Sequence, residues 1–131
     1  MVTSARSEEQ ERRATLPIEG RARALLLADI ISDTPAKDTI VLDIRDLSPF
    51  ADYFVITDGA NERQLRAINR TVAEKMAEAG IRPERTEGGA PSGWIVLDFG
   101  DVLVHIFSEE QRDFYRLEDV WAEAPTLLAI Q

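Results

Sequence analysis

The chain has 131 residues, no cysteine, and 15 basic against 24 acidic side chains, a formal net charge of 15 − 24 = −9. That length fits one domain with a real core, and the missing cysteines exclude a disulfide framework and any thiolate nucleophile or thiolate metal site. The acidic balance disfavours binding to naked nucleic acid and favours a basic protein, so a ribonucleoprotein partner stays open only through its protein component.

Residues 1–16 are dominated by Ser, Glu, Gln and Arg without apolar periodicity, as expected of a disordered N-terminal tail. They lack the apolar centre of a signal peptide, and no apolar run in the chain approaches the ~20 residues of a membrane helix, so a cytoplasmic location is expected. Residues 17–125 form the expected domain, and residues 126–131 a C-terminal tail.

The run RARALLLADIISD predicts a first helix with Ala24, Leu27 and Ile31 on one stripe, widened by Leu26 and Ile30 and stopped at Asp33-Thr34-Pro35. Residues 39–47 alternate, with Ile40, Leu42 and Ile44 on one side and Asp43 and Arg45 on the other, as a strand with one buried face does. Residues 53–57 read as a second strand, buried on both faces and therefore central.

Asn61 is the N-cap of a second helix, with Gln64 three residues on, Leu65, Ile68, Val72, Met76 and Ala79 at helical spacing, and Gly80 as the stop. Arg63, Arg66 and Arg70 share one side of it, a row that suits RNA phosphate but is more often a solvated face. A short strand is expected near residues 85–87, demoted by Pro83. The GGAPSG segment, residues 88–93, lacks the Gly-Lys-Ser/Thr and following helix of a phosphate loop and reads as a flexible connector.

Residues 94–99 and 102–107 are β-prone runs around Gly100-Asp101, a pair suited to a type II′ hairpin turn. Pairing outward from the turn sets Phe99 opposite Val102, Asp98 opposite Leu103, Val96 opposite His105 and Trp94 opposite Phe107. Ile95, Leu97, Phe99, Val102, Val104 and Ile106 then make an apolar, core-facing side. The other side carries Trp94, Val96, Asp98, Leu103, His105 and Phe107, with Asp98 and His105 as diagonal neighbours able to hydrogen-bond. This mixed face reads either as a docking surface or as sheet covered by a helix.

Ser108 and Gln111 form a capping box with Glu109 and Glu110 in the first turn of a third helix. Phe114, Leu117 and Trp121 recur at helical spacing and are expected to pack down, leaving Arg112, Tyr115 and Arg116 for solvent or a partner. The expected partner-binding residues are Trp94, Asp98, His105, Phe107, Arg112 and Tyr115, while Trp121 is expected to anchor its helix to the domain.

No hydrolase or zinc-protease motif surrounds the single histidine, His105. Asp43, Asp98 and Asp101 are the carboxylates that a metal-dependent nucleotidyl- or phosphoryl-transfer enzyme would use, and this is the alternative reading. The main reading has no catalysis, metal or cofactor.

Several segments together resemble the Iojap family, the ribosomal silencing factors. They are DTIVLDIRDL, SPFADYFVITDG, the RQLRAI helix, and above all EGG…GWIVLDFGDVLVHIF…RDFYRLEDVW. The likeness runs over about residues 24–125 and departs from the family in the long GGAPSG connector and in Phe99, where tyrosine is common. It implies an α/β domain with a five-stranded mixed sheet and helices on both faces, related to nucleotidyltransferases but without established catalysis. It further implies docking to the large ribosomal subunit through large-subunit protein fourteen, blocked joining with the small subunit, lowered translation when nutrients are scarce, and a homodimer when free.

Overall fold

The apolar stripe Ala24, Leu27, Ala28 and Ile31 is wholly buried on helix α1 (Gly20–Ser32) in the computed structural model, which describes residues 18–131. The expected tail over residues 1–16 lies outside the described residues. Glu19, at the N-cap, makes no side-chain cap, and the Gly20 N–H is instead taken by the carboxylate of Asp101 far along the chain. An orphan donor of the first turn is thereby satisfied by a tertiary contact.

Strand β1 (Lys37–Asp43) pairs antiparallel with β2 (Tyr53–Gly59), Val41 facing Val55 and Leu42 facing Phe54. Every residue of β2 is buried, as its unbroken apolar run requires. β1 starts and ends earlier than the alternation over residues 39–47 suggests. The Asp43 carboxylate accepts from the Arg45 N–H at 3.1 Å and turns the chain there, a local bond that competes with the ladder. Val41 is buried on the face opposite Leu42 and Ile44, so β1 has two buried faces and not one.

Asn61 caps α2 (Glu62–Glu78) by accepting from Gln64 N–H at 2.9 Å. Leu65, Ile68, Val72 and Met76 lose all exposure, each contributing roughly 1.5–3 kcal/mol of burial. β3 (Arg85–Gly89) follows as an exposed edge strand, then a short 3-10 turn (Ala90–Ser92), the hairpin strands β4 (Trp94–Asp98) and β5 (Val102–Ser108), α3 (Glu109–Tyr115), α4 (Leu117–Val120) and β6 (Thr126–Ile130). GGAPSG is an ordered turn and not a loose connector: its first two glycines complete β3, and Ser92 Oγ donates to Gly89 O at 2.7 Å.

The sheet order is β3-β4-β5-β2-β1-β6, with β2 and β5 parallel and every other pair antiparallel. The class is α/β with a mixed sheet, as expected, but it has six strands and not five. The sixth comes from the chain end, expected as a tail over residues 126–131, whose Thr126–Ile130 pairs with the outer edge of β1 and lays Leu127 and Leu128 on the core. α1 and α2 both cover one face of the sheet. The second face has a smaller core, Leu42, Ile44, Ala51, Phe54, Ile56, Phe107 and Ala124, against which Leu117 and Trp121 of the α3–α4 end of the chain pack.

Candidate functional site: an aromatic groove on the half-covered face

The hairpin has the register its alternation dictates, with Trp94 opposite Phe107, Val96 opposite His105 and Asp98 opposite Leu103. Gly100 opens the turn at φ 89°, and Phe99 N–H donates to Val102 O at 2.9 Å. Arg23, buried on α1, fixes the tip by donating from Nη1 to Phe99 O at 2.6 Å and to Asp101 Oδ1 at 2.9 Å. The inner face of the hairpin, Ile95 through Ile106, belongs to the core under the two long helices.

On its outer face an aromatic series runs from core to solvent. Phe107 has no exposure, and Trp94 stacks on it at 4.9 Å between ring centroids; Tyr115 leans on Trp94 at 4.6 Å, and Phe114 meets Tyr115 edge-on at 5.1 Å. Tyr115 is 45 % exposed and Phe114 76 %. Trp94 and Tyr115, with Val96, Ser92, Gly88 and Glu87, wall a groove of about 360 Å³ open to solvent. A groove with rigid aromatic walls and a polar rim of Glu87 and Ser92 is the form that binding centres take.

His105 is 5 % exposed and lies beneath this surface. Its Nδ1 accepts from Trp94 Nε1–H at 3.2 Å, which places the proton of the neutral ring on Nε2, a buried atom with no partner among the described residues. Burial pushes the imidazole down to about 4. His105 therefore lies beneath the surface and holds Trp94 in position. The expected Asp98–His105 bond does not form, because Asp98 turns to its own hairpin and accepts from Gly100 N–H at 2.8 Å.

Arg112, expected at the surface, is largely buried. It donates from Nη1 to Asp58 Oδ2 at 2.9 Å and to Asp38 O at 2.6 Å, and from Nε to Glu118 Oε1 at 2.6 Å. Burial raises the Asp58 carboxyl above its ordinary value, and the Arg112 bond opposes that rise. Arg112 thus ties β2 to the α3–α4 segment. Phe114, expected to pack down, faces solvent instead: Arg116 takes the left-handed conformation, φ 47°, and breaks the expected helix into α3 and α4. The break lets Leu117 and Trp121 reach the core, Trp121 edge-on to Phe54 at 5.4 Å, while Phe114 is left outside.

Of the six expected partner-binding residues, Trp94 and Tyr115 line the groove, Asp98 is half-buried at the hairpin end, Phe107 and His105 lie below, and Arg112 is a tie. Phe114, Gly88 and Ser92 belong to the groove's walls or margin without having been singled out. Phe114 was hidden by the unforeseen break at Arg116, and Gly88 and Ser92 by the reading of GGAPSG as loose.

The three carboxylates of the alternative reading are separately engaged. Asp101 pairs with Arg23, Asp98 holds its turn, and Asp43 pairs with Arg45 at 2.7 Å, whose hydrogen bonds hold the Asp43 carboxyl below its ordinary value. Among the described residues no group of three His, Asp or Glu side chains is arranged to hold a metal ion.

Residues 15–131 match the family described as "Ribosomal silencing factor during starvation". The Ribosomal silencing factor RsfS of Bacillus subtilis is 37% identical over 100 residues, covering 76% of this chain and 85% of that protein. The chloroplastic protein Iojap of Arabidopsis thaliana is 35% identical over 106 residues, 81% of this chain and 44% of that one. A crystal structure of a Chromobacterium violaceum protein superposes with a TM-score of 0.76 at 30% identity, covering 80% of this chain and 88% of that one.

Proposed function

We infer the function from one premise: this chain belongs to the ribosomal silencing factor (RsfS) family. It acts as a docking protein in the cytoplasm. The Trp94–Tyr115 groove meets a basic protein of the large ribosomal subunit, large-subunit protein fourteen in the family likeness, and the bound domain stands where the small subunit would join. Translation falls as a result when nutrients are scarce. An interface of about 1,600 Å² is enough for such occlusion, with no chemical step and no cofactor. Free in solution, the chain pairs with a second copy through its exposed aromatics.

The observation that carries this reading is the groove itself. Trp94 and Tyr115 are held rigid by stacking and by the His105 bond, yet their outer edges stay open. Preorganised aromatics lose little entropy on binding. The negative charges on α3 and α4 beside them complement a basic partner.

Co-sedimentation of the purified chain with isolated ribosomal subunits tests the reading, with binding expected to the large subunit and reduced joining to the small one. Trp94→Ala and Tyr115→Ala should each weaken binding by at least about 2 kcal/mol, some 30-fold. If both variants fold and bind as the unsubstituted chain does, the groove is not the docking surface.

A further inference from the structure

We infer that the exposed arginine row on the N-terminal half of α2, Arg63, Arg66 and Arg70, is a second contact surface that takes the phosphate backbone of RNA. The inference deepens the ribosome-docking reading and rests on it.

The three residues follow one another at i, i+3 and i+7, within about 60° on a helix that turns roughly 100° per residue. Leu65, Ile68, Val72 and Met76 occupy the opposite, buried side, so the row points away from the sheet. All three arginines are exposed. Arg66 is within 3.1 Å of Glu62, a solvated pair of little worth, and neither Arg63 nor Arg70 forms an ion pair among the described residues. Folding does not call for them either. Arg63 stands near the N-terminus of the helix, where the macrodipole disfavours a cation, and the buried stripe already holds the helix in place.

Charge is unevenly spread over the molecule. From Glu109 to Asp119 two arginines stand against five carboxylates, 2 − 5 = −3, whereas from Glu62 to Arg70 three arginines stand against one glutamate, 3 − 1 = +2. The two segments meet around the 3-10 turn. Asn61 and Glu62, where α2 begins, line a cleft with Ser92 and Gln111, and Ser92 also lines the Trp94 groove. The N-terminus of α2 therefore lies one cleft from the aromatic groove, while the arginine row faces outward from the helix layer on the other side of the sheet. A partner that contacts both must pass round this edge of the molecule.

A partner built of basic protein beside RNA matches this pattern, the acidic side meeting the protein and the arginine row the phosphates. Guanidinium groups bond phosphate oxygens in pairs. Screening over about 8 Å at physiological ionic strength keeps the chain's remaining negative charge from cancelling so local a contact.

The test is the salt dependence of binding to isolated large ribosomal subunits, measured for the full chain and for the Arg63→Gln, Arg70→Gln double variant. Glutamine keeps the helix propensity of arginine, and an unchanged thermal midpoint checks the fold. Two lost phosphate contacts should flatten the plot of log K against log salt by roughly 1.4 to 1.8 and lower affinity about tenfold at low salt. The Arg63→Lys, Arg70→Lys variant should restore most of the slope. Trp94→Ala should weaken binding with its slope intact. A double glutamine variant with unchanged affinity and slope overturns the inference. Lowered affinity at unchanged slope assigns the arginines to a protein carboxylate and overturns it equally. If the unsubstituted chain does not bind large subunits at all, the ribosome reading itself fails; if it binds and only the slope prediction fails, that reading stands without the RNA contact.

Discussion

His105 and Arg112 are both largely buried, and both hold other residues in place. The unfolded imidazole takes a proton near 6.5, while burial delays the folded ring to about 4. Its contribution to stability is therefore complete above pH 6.5 and is lost as pH falls toward 4, by roughly 2 kcal/mol at about pH 5 and roughly 3 at about pH 4. Asp58 acts in the opposite sense: its raised pKa lets the folded state take a proton first, so its share of stability is regained as pH falls through that value. Comparing the chain with His105→Gln separates the two, because Gln can still accept from Trp94 and does not titrate. Denaturant unfolding at pH 7 and 5 should show the unsubstituted chain losing about 2 kcal/mol more than the variant; equal losses would mean that the ring does not titrate in this range. For Arg112 the expectation is structural. Arg112→Ala strands the buried Asp58 carboxylate and should cost about 3–5 kcal/mol, and adding Asp58→Asn should recover a large part of it. If the double variant melts no higher than the single one, the tie is not what Arg112 supplies.

At the scale of elements, what was legible in the sequence depended on how local the determining physics is. The β4–β5 register was legible because period-two alternation and the Gly100-Asp101 turn fix it within 14 residues. α2 was legible from its cap, stripe and glycine stop. β6 was not, because Thr126–Ile130 becomes a strand only by finding the edge of β1 some 90 residues away. The α3–α4 break was hidden for a related reason. Arginine has no preference for the left-handed region, and Arg116 adopts it only because Leu117 and Trp121 gain the core. The same limit divided the candidate site. Alternation assigned Phe107 and His105 to the outer face correctly, but how much of that face the chain's own C-terminal segment covers is a tertiary fact. The β3–β4 pairing yields an element-scale prediction. Gly88 has φ 76°, and a Cβ there would stand 2.0 Å from the Trp94 carbonyl oxygen; Gly80 has φ 78° with nothing within 4 Å. Gly80→Ala should cost only the left-handed strain, about 1–2 kcal/mol. Gly88→Ala should cost clearly more, because β3 must move off β4, and it should weaken large-subunit binding by deforming the groove wall. Equal melting points for the two variants would count against the close β3–β4 approach at Gly88.

For the molecule as a whole, the determining asymmetry is between the two faces of the sheet. Two long helices close one face over β2 and β5, while the other is closed by short C-terminal helices that reach only part of it. Amide hydrogen exchange reads this directly, since protection follows the free energy of opening. In the free protein the amides of β2 and β5, internal and backed by the larger core, should exchange slowest. The edge strands β3 and β6 should exchange faster, β3 fastest because its side chains are mostly exposed. Binding to the large subunit should then slow exchange on one side only, at residues 88–96 around the 3-10 turn and β4 and at residues 112–117 around Tyr115. β6 lies at the far end of the sheet, four strands from β4, and should exchange at its free rate. A uniform slowing across both edges would indicate global stabilisation without a located contact. Slowing at β6 with none at the groove would place the partner on the opposite edge and reverse the assignment of Trp94 and Tyr115.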